Sequence, residues 1–333
     1  MAADVDVRAS RGSARSAGTA IAIALAALVV TPPFLPRYAL EVLISILFFA
    51  YLGAAWNILG GYAGQFSFGH AAFFGIGAYT STLLFLRAGL TPWIGMIAGG
   101  LLAAAFGLLA GYLSFRYGLK GPYFSLVTLA FAEMLRVVAV NTKAVGSSLG
   151  LVVPTAQPAA WQFLFAGKLP YYYVILAMAL GALGITFAVE RTRLGYALLA
   201  VRENEDAAEA AGVDALGMKL RAMALSSFLT ALGGTFYAQY FAYIDPGITF
   251  GPGVSIQGLL PTIVGGAGTA LGPLLGAFVL TPISEITRAL LRGRAGADVM
   301  LYGLVLMLVI SFLPQGLMGI ARGGRRPVTG KPS

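Results

Sequence analysis

The sequence predicts an all-α polytopic membrane protein with about ten transmembrane helices. The 333 residues are 58% hydrophobic and only 11% charged, whereas soluble domains carry about 25% charged residues. Most apolar runs are close to the roughly 20 residues that a helix needs to cross a bilayer, and they do not alternate over about ten residues as barrel strands do. No shift in composition marks a separate soluble domain.

The predicted transmembrane domain covers residues 19–320, between polar tails at 1–18 and 321–333 that we place in the cytoplasm. Its first apolar run, at 19–30, follows three arginines, a pattern that also fits a cleaved signal peptide. We favour an uncleaved helix because a multispanning chain needs no removable signal. The further predicted spans are 38–59, 66–86, 92–115, 122–140, 171–189, 218–243, two passes within 255–287, and 299–313.

The run at 255–287 is divided because of its length. As a single helix it would measure about 50 Å, against a hydrocarbon core of about 30 Å. It also contains the sequence GGAGTALGP at 265–273. Two shorter passes that meet near Gly268 therefore fit better than one crossing.

The basic residues test the orientation, since Lys and Arg are enriched in cytoplasmic loops. With the amino terminus inside, fourteen of them fall on the cytoplasmic side and seven on the external side. This ratio predicts that both termini are cytoplasmic, although the external cluster Arg288–Arg294 disagrees with it. The net charge of +9 reports this topology. Nucleic-acid binding is not expected, because it would need a basic face on a soluble domain.

A glycine-rich stretch from Asn57 to Thr80, NILGGYAGQFSFGHAAFFGIGAYT, interrupts the apolar pattern. It contains six glycines and the polar residues Gln65, Ser67 and His70. Loose backbone at membrane depth is tolerated only where it is packed in protein or lines a wet path. We therefore predict that the protein is a transport pore and that this stretch lies beside the path.

A second glycine-rich segment, GGAGTALG at 265–272, is similar to GGYAGQFSFG at 60–69. Each follows one apolar span and precedes another. This similarity indicates an internal repeat of the kind from which many transporters are built. A chance likeness between two glycine-rich helix contacts is the alternative.

Six polar residues are candidates for the translocation path, and each has a structural alternative. Hydroxyl and amide groups would bind a polar solute or simply a neighbouring helix, and a helix-packing hydrogen bond is the commoner role for a lone histidine. The carboxylate at 133 lies three residues before Arg136, so both share one helix face; such a pair is either functional or a lock between helices. The six candidates are Gln65, Ser67, His70, Tyr123, Ser125 and Glu133.

Several chemistries are not expected from this chain. It has no cysteine and one histidine, which cannot build a metal site alone. It has no convincing nucleophile–base–acid set and no G-x-x-x-x-G-K-[ST] motif to hold a nucleotide. We therefore predict that the chain is not an enzyme and carries no metal or cofactor. If ATP drives transport, another subunit binds the ATP.

The largest polar segment inside the domain is ERTRLGYALLAVRENEDAAEAAGVDALG at 190–217. Asn204 or Asp206 is expected to cap a short helix that ends near Gly212. A membrane-edge helix with mixed charge is typical of a docking element for a soluble partner. An ordinary solvated loop is the alternative.

Five stretches give the chain a resemblance to a known family. They are GYAGQFSFGHAAFFGIGAYT (61–80), GPYFSLVTLAFAEMLR (121–136), TRLGYALLAVRENEDAAEAAGV (192–213), IVGGAGTALGPLLGA (263–277) and LYGLVLMLVISFLPQGLMG (301–319). In this order they resemble the M-type permease subunit of bacterial branched-chain amino acid ABC importers, from about residue 40 to 320. Related permeases carry urea and short amides.

The resemblance implies a type II-like importer permease in the bacterial plasma (inner) membrane, surrounded by lipid. It implies a second homologous permease, two ATP-binding ABC subunits and an extracytoplasmic solute-binding protein as partners, with ATP bound on the ATPase subunits. The segment 190–217 is similar to the cytoplasmic coupling loop that contacts the ATPase. The residues that the resemblance assigns to coupling are Arg202, Glu203, Glu205, Asp206, Glu209 and Gly212.

Two rival functions stay open at this point. The first is a permease for urea or short amides within the same family. The second is an ion-coupled secondary transporter or channel, which would need a carboxylate at membrane depth. Glu133 is the best candidate for that carboxylate, but this rival leaves the segment 190–217 unexplained.

Overall fold

A computed structural model describes residues 26–154, 159–290, 300, 303–304, 307, 311 and 316–321. Within these residues, seven helices are long and apolar enough to cross a membrane. The predicted all-α polytopic fold is thereby confirmed. Residues 26–30, at the end of the first predicted span, are helical. The rest of that span, and most of the predicted span 299–313, lie outside the described residues.

The helices from Arg37 onward are numbered in chain order. They are α1 (Arg37–Asn57), α2 (His70–Ala88), α3 (Pro92–Arg116), α4 (Pro122–Asn141), α5 (Lys168–Arg191), α6 (Arg193–Glu203), α7 (Glu205–Ala210), α8 (Ala215–Phe241), α9 (Pro246–Thr249), α10 (Pro252–Gly265), α11 (Gly272–Leu290) and α12 (Gly316–Ala321). One π-helical turn, Ile58–Tyr62, extends α1.

Short elements connect the helices at the ends of the bundle. The strands β1 (Leu151–Val152) and β2 (Tyr243–Ile244) pair antiparallel, with Leu151 opposite Ile244. This pairing ties the segment before α5 to the end of α8. Four 3₁₀ turns complete the described connections, at Pro32–Phe34, Lys143–Val145, Ser147–Leu149 and Ala160–Gln162.

Helix α1 lies at the centre of the bundle and packs against α5, α8, α10 and α11. It is apolar on all sides, as expected of a span surrounded by other helices. Its Tyr51 hydroxyl donates to the carbonyl oxygen of Leu229 in α8 at 2.6 Å. Trp56 is fully buried near the carboxyl end of the helix.

Small residues allow α2 and α8 to approach closely. A Cβ atom on Gly77 would overlap the Ala231 carbonyl, and one on Gly234 would overlap the Phe74 carbonyl. Close backbone approach at small residues is a main source of helix association in membranes. The glycines of the stretch 57–80 therefore serve partly as helix contacts.

The division of the run 255–287 is confirmed. Helix α10 ends at Gly265 and α11 begins at Gly272, so the turn lies around Gly268, which has a φ of 77°. A Cβ atom on Gly276 would overlap the carbonyl oxygen of Pro261. The two helices can form a tight hairpin because Gly276 of α11 has no side chain at this contact.

The predicted span 66–86 was wrong at its start, because α2 begins at His70. Residues 63–69 are irregular, and side chains from three helices satisfy their backbone. Trp56 Nε1 donates to the Ser67 carbonyl at 2.8 Å, and the Ser125 hydroxyl donates to the Phe66 carbonyl at 2.7 Å. The Ser255 hydroxyl donates to the Phe68 carbonyl at 2.6 Å. This non-helical backbone is stable between two apolar helices because protein groups replace its missing hydrogen bonds.

Candidate functional site

The segment 190–217 forms two short helices beside the bundle. Gly195, Leu198 and Val201 are the buried face of α6, while Tyr196 and Leu199 are exposed. This pattern is that of an amphipathic helix lying on a surface.

The short capped helix expected within this segment is confirmed as α7. The Asn204 side chain accepts a hydrogen bond from the Ala207 amide at 3.0 Å and so caps its first turn. The chain leaves α7 through Gly212, whose φ of 86° favours glycine.

Arg202, at the end of α6, joins this segment to the bundle. Its Nη1 donates to the Gly61 carbonyl oxygen at 2.6 Å. A Cβ atom on Gly268 would lie 2.5 Å from the same nitrogen, and one on Gly64 would lie 2.8 Å from the arginine Cγ. The arginine therefore sits between the two glycine-rich segments, which have space for it because they lack side chains at these positions.

Glu190, at the end of α5, makes a second bridge between the same segments. One of its carboxylate oxygens, Oε1, accepts from the Tyr62 hydroxyl at 2.6 Å and from the Ala270 amide at 3.0 Å. The carboxylate thus links the π-helical turn of α1 to the turn between α10 and α11.

Asn57 joins α1 directly to that turn. Its Nδ2 donates to the Thr269 carbonyl at 2.9 Å, and its Oδ1 accepts from the Gly268 amide at 2.8 Å. We call the set Asn57, Tyr62, Glu190 and Arg202, together with residues 266–271, the junction. The junction holds three parts of the chain in one hydrogen-bonded unit: the end of α1, the turn between α10 and α11, and the segment 190–217.

The two glycine-rich segments 60–69 and 265–272 therefore meet in space. Gly61 and Gly268 approach so closely that a Cβ atom on Gly61 would lie 2.6 Å from the Gly268 amide nitrogen. This close contact gives a physical reason for glycine in both segments, whether the segments are an internal repeat or similar by chance.

Glu205, another of the coupling candidates, lies against the bundle. Its carboxylate contacts the ammonium group of Lys219 in α8, which is 3% exposed, and lies 3.1 Å from Lys120 Nζ. The side chain therefore fastens α7 to the bundle, where a buried lysine needs a counter-charge.

Acidic pH is expected to weaken this attachment. Burial alone would raise the pKa of Glu205, but hydrogen bonds from Lys219 and Lys120 and their charges outweigh burial and lower it. A carboxylate with a lowered pKa stabilises the fold above its ordinary value of 4.5, and this contribution is lost as the pH falls through the lowered pKa. The thermal unfolding midpoint of the purified chain should therefore drop below about pH 4.5.

The matched variant for this prediction is Glu205→Gln, which cannot ionise at that position. Its midpoint should be lower than that of the wild type at neutral pH and should fall less on acidification. Identical pH profiles for the two proteins would contradict the assigned role of the Glu205 carboxylate.

The other coupling candidates are placed differently. Glu203, Asp206 and Glu209 are exposed on the outside of α6 and α7. Gly212 shapes the exit from α7 through its positive φ. We call these exposed carboxylates, together with the exposed Tyr196 and Leu199, the outward surface of the segment 190–217.

Four of the six path candidates lie within packing contacts. His70 Nε2 lies 2.8 Å from the Ser226 hydroxyl, which itself donates to the Ala55 carbonyl at 2.7 Å. Ser67 Oγ accepts from the Gly69 amide at 3.1 Å, and Ser125 holds the irregular segment 63–69 through the Phe66 carbonyl. Gln65 Nε2 donates to the Ala63 carbonyl at 3.2 Å.

The remaining two, Tyr123 and Glu133, lie on the exposed face of α4. Tyr123 is 71% exposed. Glu133 pairs with Arg136 through two contacts, at 2.8 Å to Nε and 2.5 Å to Nη2. Of the seven apolar helices, α4 buries the smallest share of its length. Its exposed face is therefore available for contact with lipid or with another chain.

Sequence reasoning missed Asn57, Tyr62 and Glu190 as functional candidates. Asn57 is a fully buried amide at the end of an apolar helix. It is also the first residue of the glycine-rich stretch 57–80, and that position was the available signal. Within the part of the chain that the structure describes, no group of three His, Cys, Asp or Glu residues could hold a metal ion.

Known proteins are similar to this chain over most of its length. The family described as "branched-chain amino acid transport system / permease component" matches residues 38–310. The chain is similar to the high-affinity branched-chain amino acid transport system permease protein LivM of Escherichia coli, with 29% identity covering 90% of this chain and 75% of the relative.

Two further relatives are more distant. A probable branched-chain amino acid transport permease protein LivM of Methanocaldococcus jannaschii is 23% identical, over 67% of this chain and 68% of its own. The L-arabinose ABC transporter permease protein AraH of Azospirillum brasilense is 26% identical, over 65% of this chain and 62% of its own. No solved structure matches the chain significantly.

Proposed function

The chain belongs to the branched-chain amino acid transport system permease family, and from this premise we propose that it is one transmembrane subunit of an ATP-driven importer for branched-chain or chemically similar amino acids. The match extends over most of the chain, and relatives named for branched-chain amino acids are among the most similar. The relatives are named as permease proteins, so ATP hydrolysis belongs to a separate ATPase subunit. The chain itself contributes the path.

Ten spans are proposed for the complete fold. The seven long apolar helices and the shorter apolar helix Gly272–Thr287 would be joined by the spans predicted at 19–30 and 299–313. This even number returns both termini to one side. The excess of basic residues in the loops on that side supports a cytoplasmic location for both termini and for the segment 190–217.

The path is proposed to lie between this chain and a second, homologous permease. The observation that supports this is the exposed charged pair Glu133–Arg136 on α4, within an apolar helix. A charged pair facing hydrocarbon is costly, and such residues nearly always face protein or water. A partner permease against α4 would bring Glu133 and Tyr123 beside the path.

Coupling to ATP is proposed to run through the junction. A pair of ATPase subunits would dock on the outward surface of 190–217 and displace α6 when they close. Arg202 and Glu190 would carry that displacement to the π-helical turn of α1 and to the turn between α10 and α11. An extracytoplasmic solute-binding protein would supply solute at the opposite end.

The test is co-purification from native membranes in detergent, with subunits identified by mass. A tagged wild-type chain should bring down a second permease and two P-loop ATPases. Glu209→Lys reverses an exposed charge of the docking surface and should reduce ATPase recovery by about tenfold, with the second permease retained. Asp214→Asn, in the same segment but engaged in capping α8, is the comparison variant, with ATPase recovery near the wild-type level.

Two results would contradict the proposal. One is a chain that purifies alone and moves solute in liposomes without ATP. The other is an ATPase recovery that Glu209→Lys leaves undiminished, which would place the ATPase contact elsewhere.

A further inference from the structure

A cavity of about 420 Å³ lies at the end of the bundle opposite the junction. It is lined by residues of α1, α2, α5, α8, α9, α10 and α11. Its α1 side extends from Tyr38 to Leu52, which at 1.5 Å per residue is a depth of roughly 21 Å. A volume of this size is typical of sites for small molecules.

Charged side chains surround one part of the cavity. Lys168, at the start of α5, lies 3.3 Å from Glu41 Oε1 and donates to the Tyr240 hydroxyl at 3.1 Å. Its ammonium group also lies 4.5 Å from the centre of the Tyr240 ring. Glu285 of α11 lines the cavity as well. One cation and two carboxylates from three separate helices therefore converge on the same space.

The deeper part of the cavity is apolar. Phe48 and Leu52 of α1, Phe74 of α2 and Phe236 of α8 line it, and all four are buried. The aromatic rings pack against one another, with Phe48 and Phe236 stacked at a centroid separation of 5.9 Å. These walls form an apolar surface next to the charged group.

We propose that this cavity is a binding site for a zwitterionic α-amino acid with an apolar side chain. Lys168 and the Tyr240 hydroxyl would hold the carboxylate, and Glu41 and Glu285 would hold the ammonium group. The side chain would lie against Phe48, Leu52 and Phe236. This inference rests on the proposed function, and it adds a specificity site inside the permease, separate from any site on a soluble binding protein.

The three charges explain why a zwitterion fits better than an ion of one sign. A lone carboxylate would meet Lys168 but also two like charges, and a lone ammonium would leave Lys168 competing for Glu41. A zwitterion would place its carboxylate beside Lys168 and its ammonium group beside Glu41 and Glu285, so each of its two charges would meet an opposite charge. The apolar floor then selects among zwitterions by burial of the side chain.

The test measures direct binding to the whole importer complex in lipid nanodiscs, without the solute-binding protein. The probe is tritiated L-leucine, displaced by unlabelled L-leucine or by L-leucinol, which keeps the ammonium group and side chain but lacks the carboxylate. In the wild type, L-leucine should displace the probe at least about tenfold better than L-leucinol. In Lys168→Met, the two compounds should become nearly equal. A purely structural role of Lys168 would not change this ratio.

The control is Lys143→Met, the same substitution at an exposed lysine outside the cavity, which should keep the wild-type ratio. A second variant, Ser45→Phe, fills the cavity from α1 and should abolish L-leucine binding. This variant tests the inference even if Lys168→Met fails to assemble. Three results would overturn the inference and leave the proposed function standing. They are retained L-leucine binding in Ser45→Phe, an unchanged displacement ratio in Lys168→Met, and no direct binding by a wild-type complex that imports L-leucine. A complex that imports no apolar amino acid would overturn the proposed function itself.

Discussion

Replacing Arg202 with methionine is expected to uncouple ATP hydrolysis from transport. The variant keeps much of the length of the side chain but loses the charged hydrogen bond to the Gly61 carbonyl, 2.6 Å long in the native protein. A hydrogen bond to a charged group contributes about 1.5–3 kcal/mol, and about 1.4 kcal/mol corresponds to a tenfold change in an equilibrium. We expect the solute transported per ATP to fall at least about tenfold in proteoliposomes, with ATP hydrolysis retained.

Arg221→Met is the matched control for this experiment. Arg221 is exposed on α8 near the same end of the bundle, and its loss should leave the ratio of transport to hydrolysis unchanged. If transport and hydrolysis fall in parallel in Arg202→Met, the arginine is needed for assembly and does not transmit movement.

Replacing Gly276 with alanine should strongly destabilise the hairpin of α10 and α11. The new Cβ atom would overlap the Pro261 carbonyl oxygen and lie 2.9 Å from the Gly265 amide nitrogen. Both obstacles are backbone atoms, which cannot turn away as a side chain can. Overpacking of a tight contact costs about 1–3 kcal/mol and sometimes more, and we expect the upper end at this site. The yield of monodisperse protein in detergent should fall several-fold, with a lower unfolding temperature.

Gly184→Ala provides the comparison within the same protein. Gly184 is in α5, and no heavy atom lies within 4 Å of a Cβ atom built on it. Alanine there should be neutral or stabilising by up to about 1 kcal/mol, because it favours the helix. Equal yields for the two variants would show that α10 and α11 can separate at little cost.

The fold was predictable from the sequence to the extent that it depends on local composition. Apolar runs of the right length locate the long helices, and the excessive length of 255–287 located the hairpin. Residues 66–69 were wrongly predicted as the start of a helix, because Trp56, Ser125 and Ser255 satisfy the backbone of this irregular segment. No local pattern reports hydrogen bonds that come from other helices.

The candidate site was predictable only in part. Glycine content singled out the two segments that meet at the junction, but not the contacts between them. Arg202 and Gly61 are 141 positions apart, and Asn57 and Thr269 are 212 apart. Glu205 resembles its exposed acidic neighbours in sequence, and only the fold brings the buried Lys219 against it.

The junction also determines the order in which its residues can change during evolution. A Cβ atom on Gly268 would lie 2.5 Å from Arg202 Nη1, so a lineage could gain a side chain at 268 only after the arginine had moved or been lost. Gly61 stands in the same relation to Asn57, whose amide oxygen a Cβ atom at 61 would overlap. Substitutions at these positions should therefore be contingent on one another, and a residue tolerated at 268 in one descendant should disrupt the junction in another.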